Sequence, residues 1–199
     1  MKSSLIIVTF FICGIFAGLF SLLPEFILEN DLSSLALYVL MFFVGISIGA
    51  DKNAWNIVKN ARFKIVLVPI SVIVGTFIGV GVVSMFLSDI TLKESIAVGS
   101  GFGYYSLSSI LITQMGGKIL GVTALLSNIF REIITLLFTP LFAKYFGKLA
   151  PIVSGGATSM DSTLPVITKY VGKEYAVISI FNGTVLTILV PFLVTLIMR

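Results

Sequence analysis

Apolar stretches run roughly over residues 4–24, 32–50, 65–87, 96–115, 119–142, 149–168 and 175–198, with short polar loops between them. A helix rising 1.5 Å per residue needs about 20 residues to cross a hydrocarbon core about 30 Å thick, and most of these stretches are of that length. The pattern predicts an all-α integral membrane protein with about seven hydrophobic segments. The first segment follows Lys2 as a signal peptide would. It is longer than the usual 7–15-residue core of such a peptide and no A-x-A cleavage site follows, so it reads as a retained helix.

Two of the segments do not suit an unbroken helix. Segment 96–115 (IAVGSGFGYYSLSSILITQM) has Gly99, Gly101 and Gly103 in close succession, followed by Ser106, Ser108 and Ser109. Each interior glycine costs a helix about 1 kcal/mol relative to alanine, so three together favour a break. Segment 149–168 (LAPIVSGGATSMDSTLPVIT) has Gly155-Gly156, the polar run from Thr158 to Thr163, and Pro165. Within that run stands Asp161, and an aspartate at the centre of a spanning helix costs roughly 2.5–3.5 kcal/mol on insertion scales. Irregular backbone at membrane depth is tolerated where it is buried in protein or lines a watery cavity. The two segments are therefore expected to be broken or re-entrant near 99–106 and 154–163, a pattern typical of transporter sites.

Composition narrows the function classes. Of the 199 residues, 57% are apolar and 11% charged, with a mean hydropathy of +1.12; soluble domains hold about 25% charged residues. Seven segments leave no room for a soluble domain, so residues 1–199 read as a single transmembrane domain. The absence of histidine excludes a Ser-His-Asp triad, His-ligated zinc and the HExxH helix. Cys13 is the only cysteine, so no intramolecular disulfide or thiolate cluster can form. No metal, cofactor or enzymatic activity is expected; a Ser/Lys pair is the one nucleophile–base combination still open. The net charge of +4 is scattered through loops and does not indicate nucleic-acid binding.

Loop charge orients the first half. Loop 25–33 carries Glu25, Glu29 and Asp31 without a basic residue, whereas loop 51–64 carries Lys52, Lys59, Arg62 and Lys64. The positive-inside rule places 51–64 and the N-terminus in the cytoplasm. Counted over the whole chain, eight basic residues fall inside and four outside if every segment spans or only the fourth re-enters, and nine and three if both interrupted segments re-enter. That difference leaves the C-terminal half unoriented.

Candidate chemistry lies at depth. Segment 119–142 places Asn128, Arg131 and Glu132 near its middle, where ionisable groups usually face a cavity or a partner. Asn128 and Glu132 share a helical face that Thr135 and Thr139 extend. Arg131 is rotated about 100° from Glu132, so the two face different helices. A buried pair of Arg131 with Asp161 is one arrangement that would satisfy both. Asp161 is the sharpest single candidate, either as a binder of ammonium or proton or as the cap of a short helix beginning near 162. Thr158 and Ser159 beside it, and Tyr105, Ser106 and Ser108 after the other break, are candidate lining. Gly99, Gly101, Gly103, Gly155 and Gly156 are the expected break points. Asp51 closes segment 32–50 after Gly45-Ile46-Ser47-Ile48-Gly49 and is a candidate for the cytoplasmic mouth of the pathway. Asn182 is expected to make interhelical hydrogen bonds.

The stretches GSGFGYYSLSSILIT (99–113), the Asn128/Arg131-Glu132 group and GGATSMDSTLPV (155–166) resemble the lysine exporter (LysO) family. The resemblance covers nearly the whole chain and implies export of L-lysine and its analogue thialysine across a prokaryotic cytoplasmic membrane. It further implies an ion gradient as the driving force, with Asp161 at the family's acidic position and Asp51 as a looser match. Desolvated carboxylates make H⁺ the expected coupling ion, with Na⁺ as the alternative cation. Longer members carry additional N-terminal membrane helices, so a homodimer or a small membrane partner chain is expected alongside lysine and the bilayer. Two alternatives are a cation/proton antiporter and a scaffold subunit active only with its partner.

Overall fold

The computed structural model describes residues 65–199, together with positions 9, 13, 14, 16, 17, 19, 20, 39 and 46 upstream. Asp51 and loop 51–64 lie outside the described residues. Seven α-helices follow one another from residue 67: α1 (Leu67–Ser84), α2 (Leu92–Gly99), α3 (Tyr105–Gly116), α4 (Lys118–Tyr145), α5 (Ala150–Gly155), α6 (Leu164–Val171) and α7 (Ala176–Met198). Short 3-10 turns at Gly156–Met160 and Lys173–Tyr175 precede α6 and α7. There is no strand among the described residues. The protein is an all-α integral membrane protein: α1, α4, and α7 with the turn before it are long and apolar enough to cross a membrane. The lipid-facing sides of α1 and α7 expose Ile70, Val74, Ile78, Ile188, Phe192 and Leu196, which in water would be a liability and in hydrocarbon is not.

Both segments read as interrupted are interrupted, α2 from α3 by residues 100–104 and α5 from α6 by residues 156–163. Each turns back to the end of the bundle it came from. In the second, Lys148 precedes α5 and Glu174 follows α6, yet Lys148 Nζ stands 3.9 Å from Glu174 Oε1 and 5.3 Å from the centre of the Tyr175 ring. Ile152 of α5 packs in one cluster with Ile167 and Val171 of α6, as the two limbs of a hairpin require. That cluster also contains Ile65, Val68 and Ile178, so α1 and α7 both begin at this end and run parallel.

The first hairpin enters from the other end. A Cβ on Gly99 would approach Val80 and Thr76 of α1, which sets α2 antiparallel to α1. The far limb returns to the same end, because Gly116 of α3 packs against Leu120 and against Met198, the last residue of α7. At the tight turn into α4, Gly117 adopts φ 89°, a conformation open to glycine at little cost. Residues 65–199 thus form three crossing helices with two re-entrant hairpins inserted from opposite ends. The last five hydrophobic segments and the two interruptions follow the sequence pattern, whereas segments 4–24 and 32–50 lie largely outside the described residues. Re-entry is the alternative that the basic-residue count does not decide.

Candidate functional site

The hairpin tips meet in the middle of the bundle. The amide of Ala157 donates to the carbonyl of Phe102 at 2.8 Å, and the backbone of each tip is contorted to reach the other. Phe102 has φ 45°, Gly103 102° and Gly156 60°. A left-handed phenylalanine costs on the order of 1–2 kcal/mol, so the surroundings must hold it in place. The Phe102 side chain is fully buried and packs on Phe77 of α1 with ring centres 5.9 Å apart. At Gly156 a side chain is excluded outright, because a Cβ would collide with the Phe102 carbonyl.

One stripe of α4 supports the first tip. Asn128 is buried; its Oδ1 accepts the Gly103 amide at 2.7 Å, and its Nδ2 donates to Ala124 O at 2.8 Å and to Ser108 Oγ at 3.4 Å. Gly101 lies so close to the Asn128 amide that no side chain fits there. Thr135 and Thr139 continue the stripe and are buried, with the Thr135 and Ser154 hydroxyls 2.7 Å apart.

Arg131 and Glu132 leave this stripe on opposite flanks, as their rotation about the helix demands. Arg131 turns toward α1 and α5. Its Nε donates to Ser154 O at 2.8 Å, Nη2 to Val153 O at 3.0 Å and Nη1 to Thr76 Oγ1 at 3.1 Å. It caps the last carbonyls of α5, where a cation is favoured by the unpaired C=O groups. The Arg131–Asp161 pair expected from sequence does not form, because Asp161 lies on the other flank.

On that flank Glu132, Asp161, Ser162 and Tyr105 converge. Asp161 Oδ1 accepts from the Ser162 amide at 2.5 Å and from its hydroxyl at 3.2 Å; the same hydroxyl is within reach of Glu132. The Tyr105 phenol lies in the electrostatic field of both carboxylates. Asp161 and Glu132 are half-buried and Tyr105 is exposed, so the group, the acidic crevice, is partly open on this flank of the bundle. Among the described residues no lysine or arginine forms an ion pair with either carboxylate. The helices α3 and α6 begin at Tyr105 and just past Asp161, and the partial positive charge of such ends favours carboxylates. Asp161 itself bonds the adjacent residue rather than the N2 or N3 amide of α6, so it is not a conventional cap.

The remaining candidates hold the tips. Thr158 Oγ1 donates to Gly155 O at 2.9 Å, and Ser159 Oγ donates to Gly156 O or Ser179 O. Both are buried and turned from the crevice. Ser108 Oγ donates to Tyr104 O at 2.8 Å, whereas Ser106 is exposed. Asn182 of α7 is fully buried, its Nδ2 bonding Gly156 O and Ser159 Oγ at 3.0 Å each. Sequence reasoning gave no place to Thr76 or Ser154, which meet Arg131 only through the fold. Ser162 was visible within the hydroxyl run but carried no mark that set it apart. Among the described residues no cluster of acidic or cysteine ligands of metal-binding size occurs.

The family model described as lysine exporter LysO matches residues 8–198. The protein named lysine exporter LysO of Escherichia coli (strain K12) is 36% identical over 166 residues, covering 83% of this chain and 54% of its own length. A putative lysine exporter of Haemophilus influenzae is 34% identical over 167 residues, covering 82% of this chain and 83% of its own length. The chain thus spans about half the length of the Escherichia coli relative. No solved structure matches. By the extent of these matches, the chain belongs to the lysine exporter LysO family.

Proposed function

We propose that this chain forms the substrate-handling part of a secondary exporter of L-lysine and related cationic amino acids such as thialysine, driven by exchange for protons or another cation. The observation that carries the reading is the pair Glu132 and Asp161, held about one serine hydroxyl at membrane depth with no described cation paired to them. Two carboxylates in a low-dielectric site are costly alone. An ammonium group or a proton relieves that cost, and both compete for the same oxygens. Competition of this kind is sufficient for exchange, since the site is emptied of one by binding the other. Ser162 orients Asp161, and the two carboxylates lie near the N-termini of α3 and α6.

The orientation follows from charge. Lys144, Lys148, Lys169 and Lys173 cluster at the end where the second hairpin enters; Lys93, Lys118 and Arg199 lie at the other. With both hairpins re-entrant, nine basic residues fall on the first side and three on the second, so that side is cytoplasmic. The first hairpin then enters from outside and the second from the cytoplasm, and the carboxylate pair lies beside the place where their tips meet.

The decisive experiment is labelled-lysine efflux from proteoliposomes holding the purified chain, with Asp161→Asn as the variant. Asp161→Asn abolishes efflux while yield and helix content persist. Efflux at the wild-type rate in that variant places Asp161 outside the transport pathway. Flux seen only after adding a second membrane chain identifies a split transporter, and competition by Na⁺ but not by lysine identifies a cation antiporter.

A further inference from the structure

On the opposite side of the crossing from the acidic crevice, α1, α2 and α4 enclose a cavity of about 380 Å³ that ends on Arg131 and Asn128. This volume is in the range of about 300–1,000 Å³ typical of small-molecule sites. We propose that this cavity is a carboxylate-binding site in which Arg131 is the anion-holding group, distinct from the carboxylates of the crevice.

Three observations support it. The first is charge. Arg131 is held by two carbonyls and a hydroxyl, all neutral, and makes no ion pair with a described carboxylate. Neutral acceptors use three of its five N–H groups and leave both its positive charge and two donors. Arg131 is half-buried, and a guanidinium at the end of such a cavity pairs with an anion more strongly than one in open water. The second is a free hydroxyl. Ser95 Oγ is buried without a hydrogen-bond partner, although Ser95 lines the same cavity. It is a hydroxyl-bearing residue of the cavity wall whose oxygen has no partner among the described residues. The third is shape. Gly75 and Gly79 form part of the α1 wall, and a Cβ at either would meet nothing within 4 Å. The room in front of the guanidinium is therefore made by residues that could have filled it.

The wall is mostly apolar, from Val80, Val83, Leu87, Ile90 and Val98, with Thr123 and Ser127 as further hydroxyls. Such a lining suits a small organic carboxylate better than a hydrated multivalent anion. The carboxylate is either a free acid or the α-carboxylate of an amino acid, and the two sources are separable. The acidic crevice plays no part in the argument, so the site stands or falls apart from the transport reading.

The test is equilibrium binding of labelled acetate to the full chain in nanodiscs of neutral lipid. Saturable binding is expected in the wild type and in Asp161→Asn. Gly79→Leu, which adds a side chain to the cavity wall at a residue that makes no hydrogen bond to Arg131, is expected to abolish it. Arg131→Gln keeps a donor for the α5 carbonyls but removes the charge, and a loss of at least about tenfold is expected from losing a charge-assisted pair. Unlabelled lysine displacing acetate, with its decarboxylated analogue cadaverine failing to do so, identifies the carboxylate as the substrate's own. Displacement by simple carboxylates alone identifies a free anion. No saturable acetate binding in the wild type, or binding unaltered by Gly79→Leu, overturns the proposal.

Discussion

The amide of Ala157 is bonded to the carbonyl of Phe102 at 2.8 Å, and through this one contact the two re-entrant hairpins become a single unit. Phe102 and Ala157 are 55 residues apart and enter from opposite ends of the bundle. The bond requires Gly156 to adopt φ 60° with no side chain. Gly156→Ala is therefore expected to separate the tips. The left-handed conformation alone costs on the order of 1–2 kcal/mol, and the clash with the Phe102 carbonyl adds to it. Gly81→Ala is the matched control, because its Cβ would enter open space and a helix interior favours alanine by up to about 1 kcal/mol. Thermal unfolding of the purified variants should place Gly156→Ala well below wild type and Gly81→Ala at or above it.

Re-entry makes a prediction about sidedness. Lys148 and Lys173 flank the second hairpin, Lys93 and Lys118 the first, and all four are exposed. In a Cys13→Ser background, Lys148→Cys and Lys173→Cys should react with a membrane-impermeant thiol reagent from the same side. Lys93→Cys and Lys118→Cys should react from the opposite side. A broken but spanning second segment would instead separate Lys148 from Lys173.

The positions of the interruptions were legible because glycine, proline and a mid-membrane aspartate act locally on helix formation. The decision between spanning and turning back was not, because it shifts only the count of basic residues from eight and four to nine and three. What decides it is the Lys148–Glu174 proximity and the return of Gly116 to Met198, both properties of the fold. The divergence of Arg131 from Glu132 could be read from helical periodicity, whereas the identity of their partners could not. Thr76 lies 55 residues before Arg131, and no local pattern links them. The Arg131–Asp161 pair looked attractive on charge alone, yet Asp161 belongs to the flank that Arg131 leaves. The clustering of Tyr105, Glu132 and Asp161 joins three segments, each of which carried a visible polar interruption.

At the start of the first hairpin, Thr91 and Glu94 form a capping box on α2. Thr91 Oγ1 accepts the Glu94 amide at 3.3 Å, and Glu94 Oε2 accepts the Thr91 amide at 2.8 Å. Hydrogen bonds from the Thr91 hydroxyl, and then from its amide, hold the Glu94 carboxyl below its ordinary value. A carboxylate with a depressed folded value stabilises above its unfolded value and loses that contribution as pH falls through the folded one. Helix α2 should therefore fray on acidification below the ordinary carboxylate range, seen as faster amide exchange over residues 92–95. Thr91→Ala removes the cap at a cost of about 1 kcal/mol and should give that faster exchange already at neutral pH.

The acidic crevice makes a sharper demand on Ser162. Its hydroxyl bonds Asp161 Oδ1 at 3.2 Å and reaches Glu132, while its amide already bonds Asp161 at 2.5 Å. Ser162→Ala thus removes the hydroxyl that lies beside both carboxylates and leaves Asp161 anchored by the backbone. A hydrogen bond to a charged group contributes about 1.5–3 kcal/mol, so lysine efflux should fall by at least about tenfold in kcat/KM. If the hydroxyl acts by positioning the two carboxylates, its loss cannot add to the loss of one of them. Glu132→Gln and the double variant Ser162→Ala/Glu132→Gln should then transport at nearly the same residual rate. Initial efflux rates from proteoliposomes over a range of internal lysine check this. Strictly multiplicative losses would mean that Ser162 acts on something other than the carboxylate pair.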